Sequence, residues 1–212
     1  MNPPFFFSTI SGSHFVFNFR VALHGDIIET SRQLIGEVTP PIPMIAGSKQ
    51  RYDYEYVRNG VVDIFMMFEP LAARRYTAVT DTRTKIDFAH CLRDLSDRYY
   101  PHAETIVLVM DNLNTHTLAS LYEAFVPEEA RRLAERFEIH YTPKHGSWLN
   151  MAEIEIGVMG RQCLNRRIPT KKEMMCQIRA WNYMRNSACL TVDWRFTSDD
   201  ARIKLKRLYP KI

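Results

Sequence analysis

The chain has 212 residues, of which 46% are hydrophobic and 25% are charged. This balance is that of an ordinary globular protein, so it excludes an intrinsically disordered or fibrous chain. The four cysteines have no CxxC spacing, which argues against a zinc site and against a disulfide framework. The amino end has neither the basic start of a signal peptide nor an apolar run long enough to span a bilayer, so we expect a cytoplasmic protein without membrane contact.

The net charge of +4 conceals an uneven distribution. Residues 156–212 carry 13 Lys and Arg against 4 acids, whereas residues 1–155 carry 15 against 20. A basic carboxyl-terminal part beside an acidic body suits a polyanionic partner held near a metal-binding centre. A solvated basic surface without a partner is the alternative that charge alone leaves open.

The first half of the chain predicts mostly strands. Residues 1–25 are left unassigned apart from a strand over Phe15–Leu23, and the prolines of Glu37–Lys49 predict a loop. Asn59-Gly60 predicts a turn into a strand over Val61–Phe68, which the strand Tyr76–Thr80 joins as an antiparallel hairpin or meander. The apolar spacing of Asp87–Tyr100 then predicts a helix.

Strands and helices alternate in the second half. A buried strand, Ile106–Met110, is followed by two helices separated at Pro127 and by a strand with alternating Phe137, Ile139 and Tyr141. Three more helices are predicted to begin near Leu149, Thr170 and Ser198. A meander followed by alternating strands and helices indicates a mixed α/β sheet flanked by helices.

Asp111 follows the buried strand directly, in the sequence Thr105-Ile-Val-Leu-Val-Met-Asp111-Asn-Leu-Asn-Thr-His116. The carboxyl ends of strands in an open α/β sheet are where ligands bind, because strand ends, loops and helix N-termini meet there. Asp111 is therefore a candidate catalytic acid. An aspartate that only opens a turn is the structural alternative.

Glu153 and Glu155 are the candidate acids at the start of the helix near Leu149. Two positions apart on a helix, they point to nearly opposite sides. Glu153 shares its side with Asn150, Gly157 and Gly160, whose small size leaves room for a metal ion or a phosphate. We therefore choose Glu153, although a glutamate that merely stabilises a helix N-terminus is equally compatible with the pattern.

Three stretches of the chain stand out together: Glu29-Thr-Ser-Arg-Gln-Leu-Ile35, Val107-Leu-Val-Met-Asp-Asn-Leu-Asn-Thr-His116 and His140-Tyr-Thr-Pro-Lys-His-Gly-Ser-Trp-Leu-Asn-Met-Ala-Glu153. They resemble the DDE endonuclease domain of bacterial insertion-sequence transposases of the mariner superfamily. The resemblance implies an RNase H-like fold over residues 26–212, with Mg²⁺ or Mn²⁺ as cofactor. It also implies cleavage of transposon ends and their transfer into target DNA, with Asp111 and Glu153 as the second and third catalytic and metal-binding acids.

The first acid departs from the family pattern. The family has an Asp-Glu pair where this chain reads Ile28-Glu29, and Asp26 lies two residues upstream. Because strand residues two apart share a face, Asp26 is the candidate substitute as a catalytic and metal-binding residue. The helix-turn-helix region that precedes the domain in the family is not recognisable, so we expect a truncated copy.

The basic residues around the acids are candidate DNA contacts. Lys144, His145 and the aromatic Trp148 precede the helix that carries Glu153. The candidates that follow Glu153 along the chain are Arg161, Arg166, Arg167, Lys171 and Lys172. The predicted function is that of a transposase catalytic domain that works as a homodimer, since two DNA ends must be brought together. The alternatives are an inactive remnant that only binds DNA and an RNase H-like nuclease of another kind.

Overall fold

The computed structural model describes residues 22–111, 117–143, 149–195 and 197–204. The strands of this part of the chain are β1 (Ala22–Glu37), β2 (Tyr56–Glu69), β3 (Arg74–Thr80), β4 (Thr105–Met110) and β5 (Phe137–Tyr141). The α-helices are α1 (Lys85–Arg93), α2 (Ala119–Ala124), α3 (Pro127–Ala134), α4 (Met151–Gln162), α5 (Lys171–Ser187) and α6 (Ser198–Lys204).

The strands form one sheet in the order β3-β2-β1-β4-β5. The first three strands are an antiparallel meander, in which the pairing of β2 with β3 is the predicted one, and β4 and β5 run parallel to β1. Parallel neighbours need crossover connections, and the segments before β4 and between β4 and β5 contain α1, α2 and α3. The predicted mixed α/β sheet flanked by helices is therefore confirmed.

Each face of the sheet has its own apolar core. On one face, Ile27 of β1 and Leu108 of β4 pack with residues of α1, α2 and α3 such as Leu92 and Leu133. On the other face, Ile64 and Met66 of β2 belong to a cluster with residues of α4 and α5. The predicted inward residues of the last long helix, which are Met174, Ile178 and Trp181, are buried in this second core.

The predicted turn at Asn59-Gly60 is wrong, because β2 runs through this dipeptide without a break. The pairing with β1 shifts between Gln33 and Ile35, where two residues of β2 lie opposite one residue of β1. Gly60 has a φ of +105°, a conformation that favours glycine and that suits a bulge. The Asn59 side chain donates to the carbonyl oxygen of Pro169 at 3.0 Å, so the bulge also contacts the loop before α5.

The predicted helix over Asp87–Tyr100 begins two residues earlier, at Lys85, and changes from an α-helix to a π-helix after Arg93. Thr84 and Asp87 form a reciprocal capping box at the start of α1. From Asp94 to Tyr99 the chain continues as a π-helix. The predicted strand over Phe15–Leu23 lies mostly outside the described residues, and β1 begins at Ala22. None of the described helices is long and apolar enough to cross a membrane.

A buried group of charges joins β3, α4 and α5. Glu155 of α4 is fully buried and forms ion pairs of 2.8 Å with both Arg75 of β3 and Arg185 of α5. The Arg75 guanidinium also donates to the side-chain oxygen of Asn186 at 3.1 Å and to the carbonyl oxygen of Leu190. One carboxylate therefore links the edge strand of the sheet to two helices.

Replacing Glu155 by alanine is expected to lower the free energy of unfolding by about 3–5 kcal/mol, because two buried guanidinium groups lose their common counter-charge. Chemical denaturation of the purified protein measures this change. Glu153→Ala, two residues away on the exposed side of the same helix, is the matched control and is expected to change stability by less than about 0.5 kcal/mol. Equal effects of the two substitutions would contradict the structural role of Glu155.

Candidate active site at the carboxyl ends of the central strands

Asp26 and Asp111 lie on the same face of neighbouring parallel strands. Asp26 of β1 is paired with Val109 of β4, and Asp111 stands two residues beyond Val109, immediately after the last residue of β4. Because residues two apart on a strand share a face, the two aspartates are diagonal neighbours. Asp111 is half-buried, whereas Asp26 is 4% exposed.

The start of α4 is fastened to β1 next to Asp26. The Asn150 side chain donates to the carbonyl oxygen of Ile27 at 3.0 Å and accepts from the amide of Ala152 at 2.9 Å, so one side chain both caps the helix and ties it to the strand. The amide of Met151 donates to Asp26 Oδ2 at 2.9 Å. Glu153 lies in the first turn of this helix and is exposed.

These contacts bring the three predicted acids to one edge of the sheet. Asp26 lies beside the strand that ends at Asp111, and it binds the helix turn that carries Glu153. Glu29, the other acid near the start of the domain, has an odd-numbered position that places it on the opposite face, where Arg83 lies 3.6 Å away. Asp26 is therefore the acid of β1 that shares a face with Asp111.

The Asp26 carboxyl is bound by backbone amides at the start of α4. Burial raises its pKa from the ordinary 3.8 to about 7, although hydrogen bonds from the Met151 and Ala152 amides act in the opposite direction. A carboxylate at a helix N-terminus is also favoured by the helix dipole. Asp26 thus serves as an anchor for the start of α4 in this structure.

The chemistry of the donor set fits a hard divalent cation, since Mg²⁺ and Mn²⁺ prefer carboxylate oxygens. The positions along the chain fit as well, because the three carboxylates come from the interior of β1, from the end of the neighbouring β4 and from the start of α4. In the described residues, however, no three His, Cys, Asp or Glu side chains are gathered closely enough to hold a metal ion. The Asp26 carboxylate accepts a hydrogen bond from the Met151 amide of α4.

The predicted DNA-contact residues have unequal surroundings. Arg167 binds Glu37 at 2.5 Å and the carbonyl oxygens of Asp53 and Glu55, so its donors hold the loop between β1 and β2. Lys171 pairs with Asp81 at 2.8 Å, and Arg166 donates to the carbonyl oxygen of Cys163 at 3.1 Å. The exposed residues are Arg161, Arg166 and Lys172. The predictions for Lys144, His145 and Trp148 lie outside the described residues.

The choice between Glu153 and Glu155 agrees with their surroundings, because Glu155 is the buried ion-pair partner and Glu153 faces solvent. No local pattern indicated the two arginines that bind Glu155, since they come from distant parts of the chain. Sequence reasoning also missed Arg32 of β1, whose Nε is buried without a hydrogen-bond partner. Arg32 could have been found from the alternation of the strand, because it lies six residues after Asp26 and therefore on the same face.

Comparison with known proteins identifies the family of this domain. The family model of the DDE superfamily endonucleases matches residues 29–175. The chain belongs to the DDE superfamily endonucleases. Comparison with curated protein sequences finds no significant match.

Several complexes of Mos1 transposase are among the solved structures with the same fold. The Mos1 paired-end complex with the left transposon end has a TM-score of 0.52 and 12% identity, over 76% of this chain and 48% of the Mos1 chain. The Mos1 mariner paired-end complex with Mn has a TM-score of 0.50 and 10% identity, over 79% and 51%. The Mos1 strand transfer complex has a TM-score of 0.53 and 9% identity, over 79% and 50%.

At these identities the likeness concerns the fold, and it confirms the RNase H-like mixed sheet that the sequence predicted. The chain spans about half the length of the Mos1 chains that it matches.

The raised pKa of Asp26 predicts a dependence of stability on pH. Between its ordinary value of 3.8 and about 7, the folded protein binds a proton at Asp26 that the unfolded chain has released, so folding becomes less favourable as pH rises through this window. Asp26→Asn is expected to remove this loss, which makes the variant more stable than the native protein above about pH 7 by at most about 4 kcal/mol.

Denaturation in EDTA across this pH range measures the difference in the free energy of unfolding between the two proteins. Glu128→Gln, an exposed site on α3, is the control and is expected to show no such trend. A difference between Asp26→Asn and the native protein that stays constant with pH would contradict the assignment.

Proposed function

We propose that this domain cuts DNA at the ends of a bacterial insertion sequence and joins the freed ends to target DNA, with Mg²⁺ or Mn²⁺ as cofactor. The observation that carries the proposal is the convergence of Asp26, Asp111 and Glu153 at one sheet edge in a member of the DDE superfamily. Since a transposon has two ends, we further propose that the active form is a homodimer, located in the cytoplasm and on the nucleoid when bound to DNA.

The proposed roles follow from where each acid is held. Asp111, at the end of a buried strand, is a fixed carboxylate, and Glu153 is an exposed carboxylate on a helix whose start is tied to β1. Asp26 is the third carboxylate, and it lies closest to the helix amides. When bound, the metal ions activate the attacking oxygen and stabilise the leaving oxygen of the phosphodiester.

The two chemical steps use the same site. In the first, water attacks the phosphorus atom in line with the leaving 3′-oxygen, which departs as a free 3′-hydroxyl. In the second, that 3′-hydroxyl attacks a phosphodiester of the target strand and displaces its 3′-oxygen. Neither step forms a covalent bond between protein and DNA, so the chain needs no nucleophilic side chain at the site.

A second candidate function is that of an inactive domain that only binds DNA. Two observations favour it: Ile28 stands where the family has its first acid, and Asp26 is buried against the helix amides. A third candidate is a nuclease of the same fold that cuts DNA without joining it. These alternatives differ in metal binding, in cleavage and in joining, which two experiments separate.

Isothermal titration of Mn²⁺ is the first experiment. We expect binding by the native protein and at least about a tenfold weaker affinity for Asp111→Ala and Glu153→Ala, since each removes one ligand of a hard cation. Asp26→Ala is expected to weaken binding as well. Glu128→Ala, which removes an exposed acid far from the site, is the control and should bind as the native protein does. Binding that is unaffected by Asp26→Ala would exclude Asp26 from the metal site.

Nicking of plasmid DNA and joining of a labelled 3′-hydroxyl end to a target plasmid form the second experiment. We expect the native protein to do both in the presence of Mn²⁺, and Asp111→Ala to do neither. Nicking without joining would favour the other type of nuclease. The inactive alternative predicts a native protein that does not nick and an Ile28→Asp variant that does, because this substitution restores an acid beside Asp111.

A further inference from the structure

We propose that Arg32 and Arg161 form a binding site for the sugar-phosphate backbone of a DNA strand, on the side of α4 that carries Glu153. This inference rests on the proposed function, because it identifies residues that hold the strand beside the point of cleavage. It concerns one surface of the described structure, formed by Arg32 of β1 and by Glu153, Gly157, Gly160 and Arg161 of α4, which we call the glycine face.

Arg32 is a half-buried cation without a counter-charge among the described residues. Its Nε is shielded from solvent and has no hydrogen-bond partner, and within the described residues its guanidinium forms no ion pair. A shielded polar group that lacks a partner costs free energy, more so when it is charged. An anionic ligand would supply the counter-charge that this cation lacks among the described residues.

The glycines make room for the two guanidinium groups. Arg32 Nη2 lies 2.8 Å from the position that a Cβ atom at residue 160 would occupy, so a side chain there would displace the guanidinium. Arg161 Nη1 lies 3.5 Å from the corresponding position at Gly157, because the side chain folds back along the helix. Arg161 is exposed and, like Arg32, has no ion pair in the described part of the chain.

The order along the helix suits a nucleic-acid strand. Glu153, Gly157 and Gly160 follow one another at spacings of four and three residues, which places them on one side of α4. From Glu153 to Gly160 the helix rises about 10 Å, which is the rise of about three nucleotides along one DNA strand. A strand whose scissile phosphate lies at Glu153 would therefore place its neighbouring phosphates at Arg161 and Arg32.

The other basic residues near α4 are less suited to this role. Arg167 and Lys171 already have carboxylate partners, and the guanidinium groups of Arg75 and Arg185 share Glu155. Arginine is suited to phosphate because its fork of N–H donors matches two phosphate oxygens. Arg32 and Arg161 have the same fork of N–H donors, and no described side chain forms an ion pair with either of them.

The test measures DNA affinity without cleavage. A fluorescent random-sequence duplex is titrated with the native protein, Arg32→Gln and Arg161→Gln in EDTA, at several salt concentrations. We expect each substitution to weaken binding by about tenfold and to reduce the slope of log affinity against log salt concentration by about 1, as the loss of one phosphate contact predicts. Arg98→Gln is the control, because it removes the same charge from an exposed site on the opposite face of the sheet.

Thermal melting separates a binding role from a structural one. Because Arg32 has no hydrogen-bond or ion-pair partner to lose in the described part of the chain, Arg32→Gln is expected to melt at the same temperature as the native protein or above it. A lower melting temperature together with unchanged DNA affinity would overturn the proposal, as would DNA affinities equal to that of Arg98→Gln. If inorganic phosphate raises the native melting temperature while DNA binding ignores both substitutions, the site takes small anions only, and the proposal is likewise wrong.

The result also separates this inference from the proposed reaction. Weaker DNA binding by both variants, combined with a native protein that fails to nick DNA in Mn²⁺, would support the phosphate site and reject the cleavage activity. Active nicking that is unaffected by either substitution would support the activity and reject the site.

Discussion

The attachment of the α4 start to β1 is the constraint on which the candidate site depends. Asn150 binds the Ile27 carbonyl oxygen and the Ala152 amide, while Asp26 accepts from Met151. One turn later, Glu155 is fixed by Arg75 and Arg185. Glu153 lies between these two anchors and contributes to neither, so its position is set by the packing of its neighbours. Glu153 is therefore an exposed carboxylate on a helix that is held on both sides of it.

The ion pairs of Glu155 and the hydrogen bonds of Asn150 differ in how much stability is lost when they are broken. The ion pairs of Glu155 lie in a region from which water is excluded, so removing one partner leaves an uncompensated charge. The Asn150 contact is made of neutral groups, each with an alternative in water if the helix start opens. Motion of the site should therefore begin at the amino end of α4, where Asp26 is bound, while the turn at Glu155 stays in place.

Sequence reasoning succeeded where the signal is local. The strand before Asp111, the meander and the inward residues of α5 follow from apolar periodicity, and Glu153 was separated from Glu155 by the size of the residues that share its side of the helix. It failed at Asn59-Gly60, because a dipeptide typical of hairpin turns also suits a bulge, and only the partner strand decides between them. The ion pairs of Glu155 join residues 80 and 30 positions apart, which no local pattern specifies.

The register of β1 explains why Asp26 behaves as an anchor. The last paired residues of β1 and β4 are Ile27 and Met110, so the next step along the strands brings Ile28 beside Asp111. An acid at position 28 would face Asp111 directly, whereas Asp26 lies one strand repeat further back, a displacement of about 6–7 Å. At that depth the carboxylate is buried and accepts a hydrogen bond from the Met151 amide of α4. If the proposed metal ion binds through Asp26, the ion and this amide compete for the same carboxylate.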